Sequence, residues 1–169
     1  LYRFDESAGG SITDTTGLVD NLVANNGQFG LGPSAPSWSP SGGKLGGALA
    51  FGGFGQYAQL PSGSNPLASV TDNWTMEAWV YPTNTANAPI LYNGNRLMNG
   101  YGLWKGSSAA VTDNMIAVRY GSSFFSTGVA YDSNAWNHVG VIRGAGYVKV
   151  YERGRQIGPD VSPADGVID

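Results

Sequence analysis

Apolar and polar residues alternate along much of this chain with a period of two, which is the pattern of a half-buried β-strand. The clearest case lies near the C-terminal end, where Val139 and Val141 fall on one face of a strand and His138 on the other. A glycine-containing turn at residues 144–146 follows, and the alternation resumes from Tyr147. Because the turn residues tolerate positive φ, this segment predicts a β-hairpin.

Similar short runs recur at roughly the spacing of 8–12 residues that is typical of an antiparallel sandwich. The predicted strands are residues 2–5, 48–51, 57–60, 74–81, 90–92, 101–105, 115–120 and 124–130, with a further strand from Arg155. The strands at 48–51 and 57–60 flank a glycine cluster and are predicted to form a hairpin with each other. The polar stretch 7–40 is predicted to be a long loop, and no window has helical periodicity. The pattern therefore predicts an all-β fold of two antiparallel sheets.

Composition narrows the class of protein. The 169 residues fit one domain, and the absence of cysteine excludes disulfides and thiolate metal sites. No run approaches the roughly 18–20 apolar residues of a membrane-spanning helix. The net charge of −3 and the nine basic residues offer no basic patch, so nucleic acid is not an expected partner. Few charges combined with 26 glycines and no cysteine favour an extracellular, cell-surface or virion protein.

Four segments occur in a fixed order along the chain: LYRFDESAGGSITDTTG, GGKLGGALAFGGFGQYAQLP, WTMEAWVYPT and WNHVGVIRGAGYVKVYERGRQIG. In this order they resemble the laminin-G-like domains of the concanavalin A-like lectin and glucanase superfamily. The resemblance implies an antiparallel jelly-roll β-sandwich of two sheets, with residues 1–169 forming a single domain.

The C-terminal segment departs from that resemblance. Relatives continue past the late hairpin to a G-x-I-D-E signature and a final strand that pairs with the first, whereas this sequence stops at ADGVID. Either residues 166–169 are the signature and the last strand is missing, or the domain ends in its own way. A missing strand would expose the edge of strand 2–5, which a neighbouring chain could complete.

Catalytic patterns are weak. The glutamates are Glu6, Glu77 and Glu152, and none has an acidic residue two or four positions later. Retaining glycoside hydrolysis needs two carboxyl groups about 5–5.5 Å apart, which such spacing on one strand would supply. The single histidine, His138, lies in a strand with no nucleophile elbow in the chain, and the resemblance implies a structural role for it. We therefore predict that the chain is not an enzyme, and a glucanase- or lyase-type activity ranks last among the alternatives.

Calcium is the expected cofactor, in a structural role. The loop after the first strand carries oxygen ligands among glycines, which suits calcium. The resemblance implies Asp14 and Asp169 as ligands, with Asn26 as a helper. The alternative is that Asp14 only forms an Asx turn with its own backbone.

Aromatic residues are the candidates for ligand binding, because ligand clefts combine aromatic walls with a few polar groups. The predicted ligand-binding residues are Tyr101, Trp104, Tyr120, Phe124 and Trp38. Trp74, Trp79 and Trp136 are predicted to pack in the core, and packing is also the alternative for each candidate.

These observations predict a non-catalytic recognition or adhesion module that binds a glycan or a surface protein, with carbohydrate as the favoured ligand. The alternative is an architectural or decorating domain of a virion or surface assembly, joined through its sheet edges and without a small-molecule ligand.

Overall fold

The protein is described here from a computed structural model. The structure describes residues 1–7, 11–12, 15, 27–29, 36–52, 56–59, 70, 73–94, 100–108 and 111–162. Within these residues every regular element is a strand, and there is no helix long and apolar enough to cross a membrane. The chain divides into two compact units, Leu1–Pro66 and Leu67–Asp169.

The first unit contains strands β1 to β5. Their bounds are Ser11–Ile12 (β1), Gly27–Phe29 (β2), Ser37–Gly43 (β3), Gly46–Ala50 (β4) and Ala58–Gln59 (β5). β1, β2 and β5 form one antiparallel sheet in that order, and β3 pairs with β4 in a separate hairpin.

Two predictions for the first unit are wrong. Residues 48–51 overlap β4, whose partner is β3 rather than the segment around β5. The β3–β4 hairpin turns at Lys44 and Leu45, next to Gly46 with its φ of 94°. The second wrong prediction is the long loop at residues 7–40, since this polar stretch contains β1, β2 and the start of β3.

The opening strand predicted at residues 2–5 is also wrong. Only Tyr2 forms a bridge there, and Phe4 has a φ of 58°, which an extended strand does not accommodate. Asp5 instead accepts a hydrogen bond at Oδ1 from the Gly47 N–H, 3.3 Å away.

The second unit is a sandwich of two four-stranded antiparallel sheets. The strands are Trp74–Val80 (β6), Ala88–Asn93 (β7), Tyr101–Lys105 (β8), Met115–Tyr120 (β9), Ser123–Ala130 (β10), Asn137–Gly144 (β11), Tyr147–Glu152 (β12) and Arg155–Val161 (β13). One sheet has the order β10-β9-β8-β7 and is called the first sheet; the second sheet has the order β13-β12-β11-β6. The strands predicted from residue 74 onward are therefore confirmed.

Inward-facing side chains of the two sheets form one core. Val139 and Val141 of β11 and Val148 of β12 are fully buried, as are Leu103 and Val118 of the first sheet. The β11–β12 hairpin turns through Ala145 and Gly146, whose φ is 75°. The two-sheet antiparallel β-sandwich predicted from the alternation is confirmed.

Candidate functional site

The outward-facing surfaces of the two sheets differ sharply in burial. On the first sheet, Trp104 is only 3% exposed and Arg119 is 7% exposed. On the second sheet, Trp79 is 41% exposed. Since a ligand from solution needs accessible side chains, the second sheet offers the better surface.

Two predicted ligand residues, Trp104 and Phe124, lie together on the outward face of the first sheet. Their rings meet edge to face with centroids 5.3 Å apart. The Arg119 guanidinium carbon lies 5.6 Å from the Trp104 ring centroid and 5.1 Å from that of Phe124. This geometry is a packed cation–π cluster, which favours a stabilising role in the sheet.

Tyr101 and Tyr120 lie in the core between the sheets. The Tyr101 ring stacks on Trp74 at 4.3 Å, and its hydroxyl donates a hydrogen bond to the Val70 carbonyl oxygen at 2.7 Å. Burial raises the pKa of Tyr101 above its ordinary value, although a hydrogen bond with the Asn93 side chain acts in the opposite direction. Tyr120 stacks on Tyr101 at 6.3 Å. These positions favour the packing role for both tyrosines.

The remaining predicted site residues lie elsewhere. Trp38 is half-buried in β3, opposite Leu49 of β4. The predicted calcium ligands Asp14, Asn26 and Asp169 lie outside the described residues. Within the described part of the chain, no three His, Asp or Glu side chains come together as a metal site would require.

Four ring side chains form a patch on the outward face of the second sheet, which we call the aromatic quartet: Trp79 and Tyr81 on β6 and its extension, and Trp136 and His138 before and on β11. The Trp79 and His138 rings are tilted by 45° with centroids 4.9 Å apart. The Tyr81 and Trp136 rings meet edge to face at 5.4 Å. Trp79 and Tyr81 (44%) are exposed, whereas Trp136 and His138 are half-buried.

Strand alternation explains the quartet. Trp74, Met76 and Val80 face the core, and the alternate residues Glu77, Trp79 and Tyr81 face outward. His138 is the direct partner of Trp79 across the β6–β11 ladder. The predicted core packing of Trp74 is confirmed, whereas that of Trp79 is wrong. The signal that could have located Trp79 was the period-two alternation, since Trp79 lies two residues from Glu77 and so on its face, and five residues from Trp74 and so on the opposite face.

Charged side chains lie on the same sheet face as the quartet. Glu77 lies two residues before Trp79 on the same face, and its Oε2 is 3.6 Å from His138 Nε2. Farther across the sheet, Lys149 Nζ and Asp160 Oδ2 form an ion pair at 3.4 Å. Aromatic faces next to hydrogen-bonding groups are the combination that small polar ligands with apolar faces require.

A hydrogen-bonded loop positions Trp136. Asn137 is fully buried, and its Nδ2 donates to the Ala135 and Asp132 carbonyl oxygens at 2.8 and 3.0 Å. Its Oδ1 accepts from the Asp132 N–H at 2.9 Å. The Arg153 side chain also contacts this loop through an ion pair with Asp132. The Arg153 backbone N–H donates a hydrogen bond to the His138 carbonyl oxygen at 2.9 Å. The quartet therefore lies on a strand pair and an anchored loop.

Comparison with protein families gives one match. Residues 51–165 match the family model for laminin-G-like domains, described as the concanavalin A-like lectin/glucanases superfamily. The chain belongs to this superfamily. The match spans β5 to β13 and includes the whole aromatic quartet, and it confirms the predicted resemblance and fold class. Comparisons with curated proteins and with solved structures found no match.

Membership of the concanavalin A-like superfamily supports a carbohydrate-binding or related module. It does not choose between lectin and glucanase, because one fold can carry either function. That choice depends on the residues of the site itself.

Proposed function

We propose that this concanavalin A-like domain is a non-catalytic recognition module that binds carbohydrate on the aromatic quartet. The observation that carries the proposal is the patch of exposed Trp79 and Tyr81 with half-buried Trp136 and His138 on one sheet face, with the Glu77 carboxylate at its border. A sugar ring has an apolar C–H face that can pack on an indole, and hydroxyl groups that can donate to a carboxylate. Rigid placement on strands lowers the entropic cost of binding.

The carboxylate geometry supports a role without catalysis. Inverting hydrolysis uses carboxyl groups roughly 6.5–9.5 Å apart, and retaining hydrolysis uses a shorter separation. On the outward face of the second sheet, the next carboxylate described by the structure is Asp160 on β13, three strands from Glu77 on β6. At about 4.8 Å per strand, the separation is about 14 Å, too long for either mechanism.

The proposal extends to location and cofactor. We place the module on an extracellular, cell-surface or virion protein, as the composition favours. We also propose a structural calcium held by Asp14 and Asp169 with Asn26 as a helper, which the resemblance implies.

A glycan array, probed once with calcium and once with chelator, tests the binding proposal. The wild-type chain should bind one or more glycans. Trp79→Ala should weaken that binding at least tenfold, because a tryptophan that the ligand covers commonly contributes much of the binding energy. Tyr147→Ala is the matched control, since Tyr147 is an exposed aromatic residue of the same sheet at the hairpin end of β12. This control should bind as the wild type does.

Two results would contradict the proposal. Silence on the array from a chain with a cooperative unfolding transition would place the architectural role first. Release of reducing sugar from β-glucans by the wild type, lost in Glu77→Gln, would make the domain an enzyme.

A further inference from the structure

Negative charge is concentrated at one end of the aromatic quartet. The Glu77 side chain is 67% exposed, and its carboxylate lies against His138. The other charged residues of this face within the described part of the chain, Lys149 and Asp160, neutralise each other in an ion pair on the two far strands. A ligand on Trp79 therefore meets the Glu77 carboxylate, and His138 is the nearest basic side chain to that carboxylate in the described part of the chain.

Gly140 leaves an open position next to this carboxylate. It lies opposite Glu77 on β6 and opposite Tyr151 on β12. A Cβ atom built at Gly140 would have its nearest neighbours at 3.6 Å (the Met76 carbonyl oxygen) and 3.7 Å (the Glu77 Cβ), which is ordinary contact. Gly140 is also absent from the residues with positive φ. Neither packing nor backbone conformation requires glycine there, although glycine weakens a strand interior.

We propose that Glu77 and the open surface over Gly140 determine the ligand class of the site: a neutral, hydroxylated sugar ring is accepted, and a ring carrying a carboxylate is rejected. This inference rests on the proposed carbohydrate function. A carboxylate accepts hydrogen bonds and cannot donate them, so it pairs with sugar hydroxyls and repels a second carboxylate. The missing side chain at Gly140 gives the sugar ring room to approach the Glu77 carboxylate.

The charge component is tested on neutral oligosaccharides printed beside their uronic-acid analogues. Glu77→Gln should raise the ratio of acidic to neutral binding about fivefold at low salt, the effect of one unit charge at contact distance in water. The increase should shrink at higher ionic strength, because salt screens exposed charges. An unchanged ratio would overturn the assignment of Glu77.

The steric component is tested by filling the open position. Gly140→Ala should unfold at the same temperature as the wild type or higher, because the Cβ fits and the unfolded chain is less flexible. Gly140→Val should lower affinity for the neutral oligosaccharides at least tenfold while retaining a cooperative unfolding transition. Wild-type affinity in folded Gly140→Val would overturn the assignment of this surface.

The same array separates failure of this inference from failure of the proposed function. If Trp79→Ala loses binding but Glu77→Gln keeps the wild-type ratio, only the ligand-class inference fails. If Trp79→Ala binds as the wild type does, the aromatic quartet is not the site and both fail.

Discussion

Replacing Asn137 by alanine should destabilise the second unit through the loop that precedes β11. Three side-chain hydrogen bonds of 2.8–3.0 Å are lost, two to carbonyl oxygens and one from an N–H group. A longer contact of 3.4 Å, from Asn137 Nδ2 to the Val80 carbonyl oxygen, is lost as well. At about 1 kcal/mol for each short bond, the free energy of unfolding should fall by about 3 kcal/mol.

The cost exceeds this sum for each Asp132 or Ala135 backbone group that water does not reach once the Asn137 side chain, fully buried in the wild type, is removed. Such unsatisfied groups cost roughly 1–3 kcal/mol each when they stay dry. For a chain of this size, a loss of about 3 kcal/mol corresponds to a fall in Tm of roughly 6–12 °C. Affinity for the quartet ligand should also fall, since the loop carries Trp136.

Urea unfolding followed by tryptophan fluorescence, together with calorimetry, measures the change. Ser122→Ala is the matched control, because Ser122 is exposed in the turn between β9 and β10. Its free energy of unfolding should stay within about 0.5 kcal/mol of the wild type. A fall of less than about 1 kcal/mol for Asn137→Ala, at an unchanged m-value, would refute the reasoning that these bonds hold the loop.

Three further predictions concern the backbone, pH and metal. Gly102→Ala should lower Tm more than Asn137→Ala does, because a Cβ at residue 102 would lie 2.0 Å from the Leu91 carbonyl oxygen. Gly140→Ala, where a Cβ makes only ordinary contacts, is the control, and equal Tm values for the two alanine variants of glycine would contradict the clash. Burial acts to raise the pKa of Asp113, but hydrogen bonds from Ser107 and Met115 outweigh it and hold that pKa below its ordinary value. The wild type should therefore lose stability relative to Asp113→Asn as pH falls below about 3.9, the ordinary aspartate value, and parallel pH profiles in calorimetry would contradict this. If the proposed calcium is bound, chelator should lower Tm, because an ion at 100 times its Kd adds about 2.7 kcal/mol to the free energy of unfolding. An unmoved Tm would exclude the ion.

Local patterns in the sequence were sufficient to predict most of the second unit. Short strand-like runs placed β6, β8, β9 and β10 within one residue at each predicted boundary, and period-two alternation placed the β11–β12 hairpin, because one face of each of its strands must pack into a core. The same alternation assigned Val139 and Val141 to the interior, where both are fully buried. Strand pairing in the first unit was harder, because residues 48–51 could pair with either neighbouring segment and their partner proved to be β3.

The candidate site depended on information that the sequence does not contain. Trp79 and Trp104 are both tryptophans of alternating strands, yet Trp79 is exposed and Trp104 is buried. Alternation tells which residues share a face, but the burial of an outward face depends on groups distant in sequence that pack over it. The neighbours of Trp79 likewise come from two strands: Tyr81 from its own chain segment, and His138 with Trp136 from nearly sixty residues later. The sequence by itself therefore determined the strands of the second unit and their inner faces. The aromatic quartet and the placement of Glu77 beside it were decided by tertiary structure, because ladder register sets which side chains meet.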